Sequence, residues 1–246
     1  MKTRILQKTL QIFETLVHAE NPLTLKEICA RTGITPPAAS RLLSDLAEAG
    51  YVHKVSYRTF EPGLGMIDLG QSTLRHNFFP QNAILHLRSG LARMRISGAL
   101  AGMFRDRLVY LFHSNREHSL NSAFLPMPEQ QLSGSNIALV ILCVKYGREK
   151  ACSILLDELA RMPLPEAERA VREHSIRERI DSFAKDHYAV WQDQRGHWNL
   201  CFPLVDGSQV YGLSFLIGSE VRPDQSSLFL KCSSLAAEMR KILTKS

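Results

Sequence analysis

Wound at about 3.6 residues per turn, the stretch 5–18 places Ile5, Leu6, Thr9, Ile12, Phe13, Leu16 and Val17 on one side. This spacing predicts an amphipathic helix, which "AENPL" then breaks. In "TLKEICARTG", Thr24 stands where an N-cap belongs and Glu27 follows three positions later, the pattern of a capping box. Leu25, Ile28 and Cys29 face inward and Gly33 closes this second helix. A third starts after Thr35, with Pro36 at its first position, where a missing N–H costs nothing. Its stripe of Ala39, Leu43 and Leu46 packs inward, so Ser40, Arg41 and Ser44 point away, and Gly50 ends it.

Next, "YVHKVSYRTFEPG" predicts a hairpin with strands at Tyr51–Lys54 and Thr59–Glu61 and a tip at Ser56–Arg58. Three helices closed by a hairpin make a winged helix-turn-helix. Residues 64–95 return to helical spacing, interrupted at Pro80. From Gly98 the texture changes. "GALAGMF", "RLVYLFHS", "WNLCFPLV" and "VYGLSFLIG" are short apolar runs bounded by turn signals, whereas Asn136–Tyr146, Glu149–Ala160, Glu166–Lys185 and the last twenty or so residues are helical. These are the elements of an antiparallel sheet with flanking helices. The fold class is α+β, and the expected division is a DNA-binding head over 1–63, a linker helix over 64–80 and a second domain over 81–246.

Composition changes this picture little. The 246 residues, 45% hydrophobic and 22% charged, suit a globular protein, and the net charge of +6 permits a nucleic-acid partner without requiring one. The charge is uneven, with +2 over residues 1–76, +4 over 77–124 and zero over 125–246. Five cysteines, at 29, 143, 152, 201 and 232, contain no Cys-x-x-Cys, so neither a disulfide framework nor a zinc site is expected and a reducing cytoplasm fits. The nine histidines show no ligand spacing, and no run is apolar enough for a membrane span or a signal peptide. No phosphate-binding or dinucleotide loop and no nucleophile elbow occurs. No metal, cofactor or catalytic residue is therefore assigned.

The helix-turn-helix is the most specific signal. The major groove admits one helix, and base edges are read by short polar groups and guanidinium forks. Thr35, Pro37, Ala38, Ser40, Arg41 and Ser44 are the candidates for such contacts, with Lys8, Lys26, Arg31 and Arg58 placed for phosphates. Arg41 can serve a base or a phosphate. The plainer alternative is a winged helix used for protein contact, with solvated charges.

Along most of its length the chain resembles the IclR family of bacterial transcription regulators. "LQKTLQIFETL", "LTLKEICARTGI", "SRLLSDLAEAGYV" and "PGLGMIDLG" carry the resemblance in the head. "ALAGMFRDRLVYLFHS", "LPM" followed by "LSGSNIA", and "NLCFPLVDGSQVYGLSFLIG" carry it more loosely in the tail. The resemblance implies a GAF-like effector domain that binds a small metabolite, and homodimers or tetramers acting on a double-stranded DNA operator. It points to Ser133, Gly134, Ser135, Trp191, Asn199, Cys201 and Ser214 as ligand-binding residues. The residues themselves add that a helix start at Ser135–Asn136 suits an anion and that Asn199 and Cys201 share one face of a strand. Each also has an ordinary reading: a turn and N-cap at Ser133–Ser135, core packing at Cys201 and Trp191. Asn136 and Ile137 replace a frequent Gly-Lys or Gly-Arg pair, Asn199 stands where cysteine is common, and Trp191 stands where an acidic residue is. The expected function is a ligand-responsive regulator taking a small carboxylate or aromatic metabolite; the other class is an α+β enzyme or sensor whose head binds protein.

Overall fold

The computed structural model describes residues 4–76, 81–114, 131–192, 196–218 and 226–243. The backbone gathers into two compact units, 1–79 and 80–246.

The first unit comprises α1 (Arg4–Val17), β1 (Leu23–Thr24), α2 (Leu25–Thr32), α3 (Pro36–Glu48), β2 (Val52–Lys54), β3 (Thr59–Pro62) and α4 (Leu64–His76). Ile12, Leu16, Leu23, Ile28, Ile34, Ala39, Leu43 and Val52 form its core. The capping box is complete: Thr24 Oγ1 accepts from the Glu27 N–H, and the Glu27 carboxylate accepts from the Thr24 N–H at 2.7 Å. Gly33 ends α2 in the left-handed region at φ 70°, which favours glycine. Thr35 occupies the N-cap position of α3 but makes no side-chain cap bond. The hairpin is larger than the pattern predicts, because β1 adds to β3 and gives the order β1-β3-β2. At its root, Gly63 donates to Tyr51 O at 2.9 Å and Gly65 to Gly50 O at 3.0 Å. A Cβ at Gly63 would run into the Gly50 carbonyl and the Tyr51–Val52 backbone, so glycine is required for this approach.

The second unit contains α5 (Gln81–Met94), β4 (Ser97–Phe104), β5 (Arg107–Ser114), a 3₁₀ turn (Leu132–Gly134), α6 (Asn136–Tyr146), α7 (Arg148–Ala160), α8 (Glu166–Asp186), β6 (Ala189–Gln192), β7 (Trp198–Asp206), β8 (Gln209–Ile217) and α9 (Ser227–Leu243). The strands form one antiparallel sheet in the order β5-β4-β8-β7-β6. Strand residues alternate faces. Cys201, Ala189, Ala99 and Ala101 join a core with Ile137–Leu142 of α6, Leu155 and Leu159 of α7 and Ile176 and Ile180 of α8. Phe202, next to Cys201, instead lies 6.0 Å from the Phe229 ring of α9. Helices thus cover both faces of the sheet. Small residues let α6 lie close: a Cβ on Gly212 would sit 2.8 Å from Ile137 Cγ2. β6 is absent from the apolar runs picked out above, being four residues long and half exposed at its end. The "LPM" segment of the resemblance lies outside the described residues.

Candidate functional site

In the head, α3 presents its polar side to solvent. Thr35, Pro37, Ser40, Arg41 and Ser44 are exposed and Ala38 is half-buried, while Ala39 and Leu43 beneath them are fully buried. Arg41 forms no ion pair among the described residues. The wing carries Lys54 over the Tyr57 ring, 5.4 Å from its centroid, with Arg58 exposed at the tip. Arg58 N–H bonds Ser56 Oγ, and Ser56 and Thr59 share a hydroxyl bond at 2.7 Å, which stiffens the turn. Lys26 and Arg31 are exposed on α2, and Lys8 is half-buried on α1. The unit therefore combines a solvent-facing polar helix with an ordered, cationic hairpin.

The tail gathers its polar groups inside. Arg179 of α8 is only 6% exposed. Its Nη2 donates to Ser133 O at 2.8 Å, its Nη1 to Asn136 Oδ1 at 3.2 Å and its Nε to Ser175 O at 3.2 Å. The guanidinium lies over the Trp191 ring, 5.2 Å from its centroid. Asn136 Nδ2 donates to Asn199 O at 3.0 Å, and Ser214 Oγ donates to Asn199 Oδ1 at 3.0 Å. Sheet register explains the meeting: Trp191 pairs with Asn199, and Cys201 with Ser214, on adjacent strands. Ser133 N–H and Leu132 N–H both donate to the Glu158 carboxylate of α7, at 2.6 and 2.8 Å. Ser135 Oγ caps α6 by accepting from Ala138 N–H, and Gly134 completes the turn. Cys201 is fully buried in the apolar core, and burial pushes its thiol pKa well above the usual range. Nearby, burial raises Tyr110 to about 12, with the Cys201 thiol adding to the shift. Burial lowers Arg179 only to about 10, so it remains a cation at neutral pH.

Of the expected ligand residues, Ser133, Asn199, Ser214 and Trp191 thus meet in one cluster. Gly134 and Ser135 form the adjoining turn, and Cys201 lies below in the core. Arg179 and Glu158 were not among the expected residues, and Asn136 entered only as part of the helix start suited to an anion. Arg179 sits in "REHSIRERIDSFAKD", which looks like a solvated face. Yet Ile176, Ile180 and Phe183 are buried on the same helix, and position 179 falls on that stripe. Among the described residues, no three His, Cys, Asp or Glu side chains gather to hold a metal, and no helix is long and apolar enough to cross a membrane.

Residues 5–56 match the model of the IclR helix-turn-helix domain. The head is an IclR helix-turn-helix domain. No curated protein matches the chain. Among solved structures, an IclR family transcriptional regulator from Brucella abortus superposes with a TM-score of 0.71 at 19% identity, covering 99% of this chain and 92% of that one. An IclR regulator from Alicyclobacillus acidocaldarius gives 0.70 at 18%, covering 100% and 99%. An IclR homolog from Microbacterium hydrocarbonoxydans, complexed with 4-hydroxybenzoate, gives 0.67 at 17%, covering 98% and 100%. The whole chain therefore has the IclR fold: an N-terminal helix-turn-helix and a C-terminal sheet domain, mixed α+β.

Proposed function

We propose that the protein is a ligand-responsive, DNA-binding transcription regulator. The observation that carries this reading is the exposed polar face of α3 beside a cationic wing, within an IclR helix-turn-helix. Ser40, Arg41 and Ser44 read base edges from the major groove, and Lys8, Lys26, Arg31 and Arg58 hold phosphates. One winged helix makes too few contacts for tight specific binding, so two copies act on a pseudo-palindromic operator. Ile5, Leu6 and Leu10 of α1 and Leu64, Ile67 and Leu69 of α4 are exposed apolar side chains, which supports a homodimer or tetramer built through this unit. The second unit, from about residue 81, acts as a GAF-like effector domain for a small carboxylate or aromatic metabolite, supported by its buried polar cluster and by the 4-hydroxybenzoate held by one protein of the same fold. The effector shifts the population between head arrangements that fit the operator and those that do not. The protein acts in the cytoplasm.

The test is selection of duplex DNA from a random pool by the full chain, followed by affinity measurement across a salt series. The expected product is a two-fold motif with half-sites about 34 Å apart or a multiple of it, whose log affinity falls linearly with log salt. A pool that yields no motif overturns the reading.

A further inference from the structure

Burying a charge without a counter-charge is among the costliest things a fold can do, because the lost hydration is recovered only by an opposite charge or a full set of hydrogen bonds. Arg179 meets neither condition. A guanidinium has five N–H donors. Three are engaged, by the oxygens of Ser175, Asn136 and Ser133, and all three acceptors are neutral. Among the described residues no carboxylate forms an ion pair with it. Glu158 uses its two oxygens on the Leu132 and Ser133 N–H groups instead. A second unfinished group stands beside it. Ser133 is 5% exposed and among the described residues its Oγ has no hydrogen-bond partner, while its backbone carbonyl is the one that Arg179 grips. The Trp191 ring completes the cluster as a flat, half-buried face against the guanidinium.

We propose that Arg179 is the charged anchor of the effector site, that the site takes a carboxylate, and that the Ser133 hydroxyl supplies a neutral donor to the same anion. Among the described residues the two remaining guanidinium N–H groups and the hydroxyl are donors without acceptors, and a carboxylate is acceptor-only. Trp191, one face of which lies against Arg179, offers its other face to a planar or apolar body attached to that carboxylate. The helix start at Ser135 is a weaker anion site than the sequence suggests: Ser135 Oγ already accepts from Ala138 N–H, and Glu158 brings a negative charge to the preceding turn. The charge that selects the ligand comes from α8. This proposal rests on the second unit being the small-molecule domain.

The experiment compares matched acid and amide probes, from acetate and acetamide to benzoate and benzamide. They are titrated against the full-length protein at constant ionic strength, by thermal shift and calorimetry. The acids should bind at least ~10-fold more tightly than their amides, the difference a charge-assisted hydrogen bond confers. Arg179→Gln should abolish that preference. Arg179→Lys, which keeps the charge but not the fork, should restore part of it. Ser133→Ala removes an unpartnered buried hydroxyl, so the unliganded midpoint should hold or rise while acid affinity falls. Equal binding of acids and amides, or an acid preference that survives in folded Arg179→Gln, overturns the anchor and leaves the small-molecule domain standing. A panel in which no probe shifts the wild-type midpoint overturns both.

Discussion

In the head, Ser40, Arg41 and Ser44 stand in solvent on α3, and the residues beneath them, Ala39 and Leu43, are wholly apolar and buried. In the tail, Ser133, Asn136, Arg179 and Ser214 are themselves the buried residues, wrapped in a core that continues through Cys201 and Ala189. Chemistry and packing are separable in the first unit and fused in the second. An exposed polar group can be exchanged with little consequence for folding, because water satisfies whatever the partner does not. A buried one is held by specific neighbours, and each exchange leaves some other group short of a bond. The difference suits the partner proposed for each unit. DNA is a large external surface that must be approached and released, whereas a small molecule must be stripped of water to be told apart from its analogues.

This contrast predicts different readouts for the two units. The largest effect comes from attacking packing in the head. Leu43→Ala should cost ~2–5 kcal/mol of head stability, through lost burial and the cavity left behind, and DNA binding should disappear with the fold; denaturant unfolding followed by a reporter in the head would show it. Asn199→Ala in the tail should cost ~1–3 kcal/mol, since Ser214 Oγ loses its acceptor and Asn136 Nδ2 keeps only the backbone carbonyl of residue 199. Here stability and effector affinity should fall together while operator affinity without effector holds. Arg41→Ala should show the opposite separation: operator affinity falls by ~1–3 kcal/mol if the contact is to a base, and the melting temperature is unchanged. An Arg41→Ala protein that binds its selected motif like wild type would break the comparison at its centre.

Two smaller effects sharpen it. Thr24→Ala removes the side-chain half of the capping box and should lower head stability by ~0.5–2 kcal/mol. In the tail, a hydrogen bond from His86 holds the Glu238 carboxyl below its usual range and ties α5 to α9 at 2.6 Å. A depressed carboxylate stabilises the fold above its unfolded value of 4.5 and loses that contribution as the pH falls below it. Because both partners are partly exposed, the effect should be at most about 1 kcal/mol. His86→Ala should flatten that part of the acid limb in pH-dependent melting.

How much of this was legible in the sequence follows the same division. The head's signals are local. Thr24 and Glu27 act within one turn of each other, Gly33 ends the same short helix, Pro36 sets its own helix entry, and each stands where the pattern places it. The wing's extra strand was not visible, because β1 is two residues long and is defined only by pairing with β3. Tail helices were readable for the same local reason: Asn136–Tyr146 is so apolar that its bounds coincide with the run. The polar cluster was only half readable. Ser133, Asn199, Ser214 and Trp191 stood out through the resemblance, but Arg179 is one of many charges on α8. It is distinguished only by its place on the Ile176–Ile180–Phe183 stripe and by neighbours 43 and 46 positions away. Thr35 shows the converse: it has the right residue type in the right place and makes no cap bond.

The junction at Gly63 has a mechanical consequence. The wing ends and α4 begins within one residue, and the two are pinned by the bonds from Gly63 to Tyr51 and from Gly65 to Gly50. No slack chain separates them, and the backbones approach so closely that a Cβ at Gly63 would meet the Gly50 carbonyl. Hairpin and helix therefore turn as one crank. A rotation of α4 is expected to carry the wing with it, and the tip at Ser56–Arg58, being farthest from the junction, to move most.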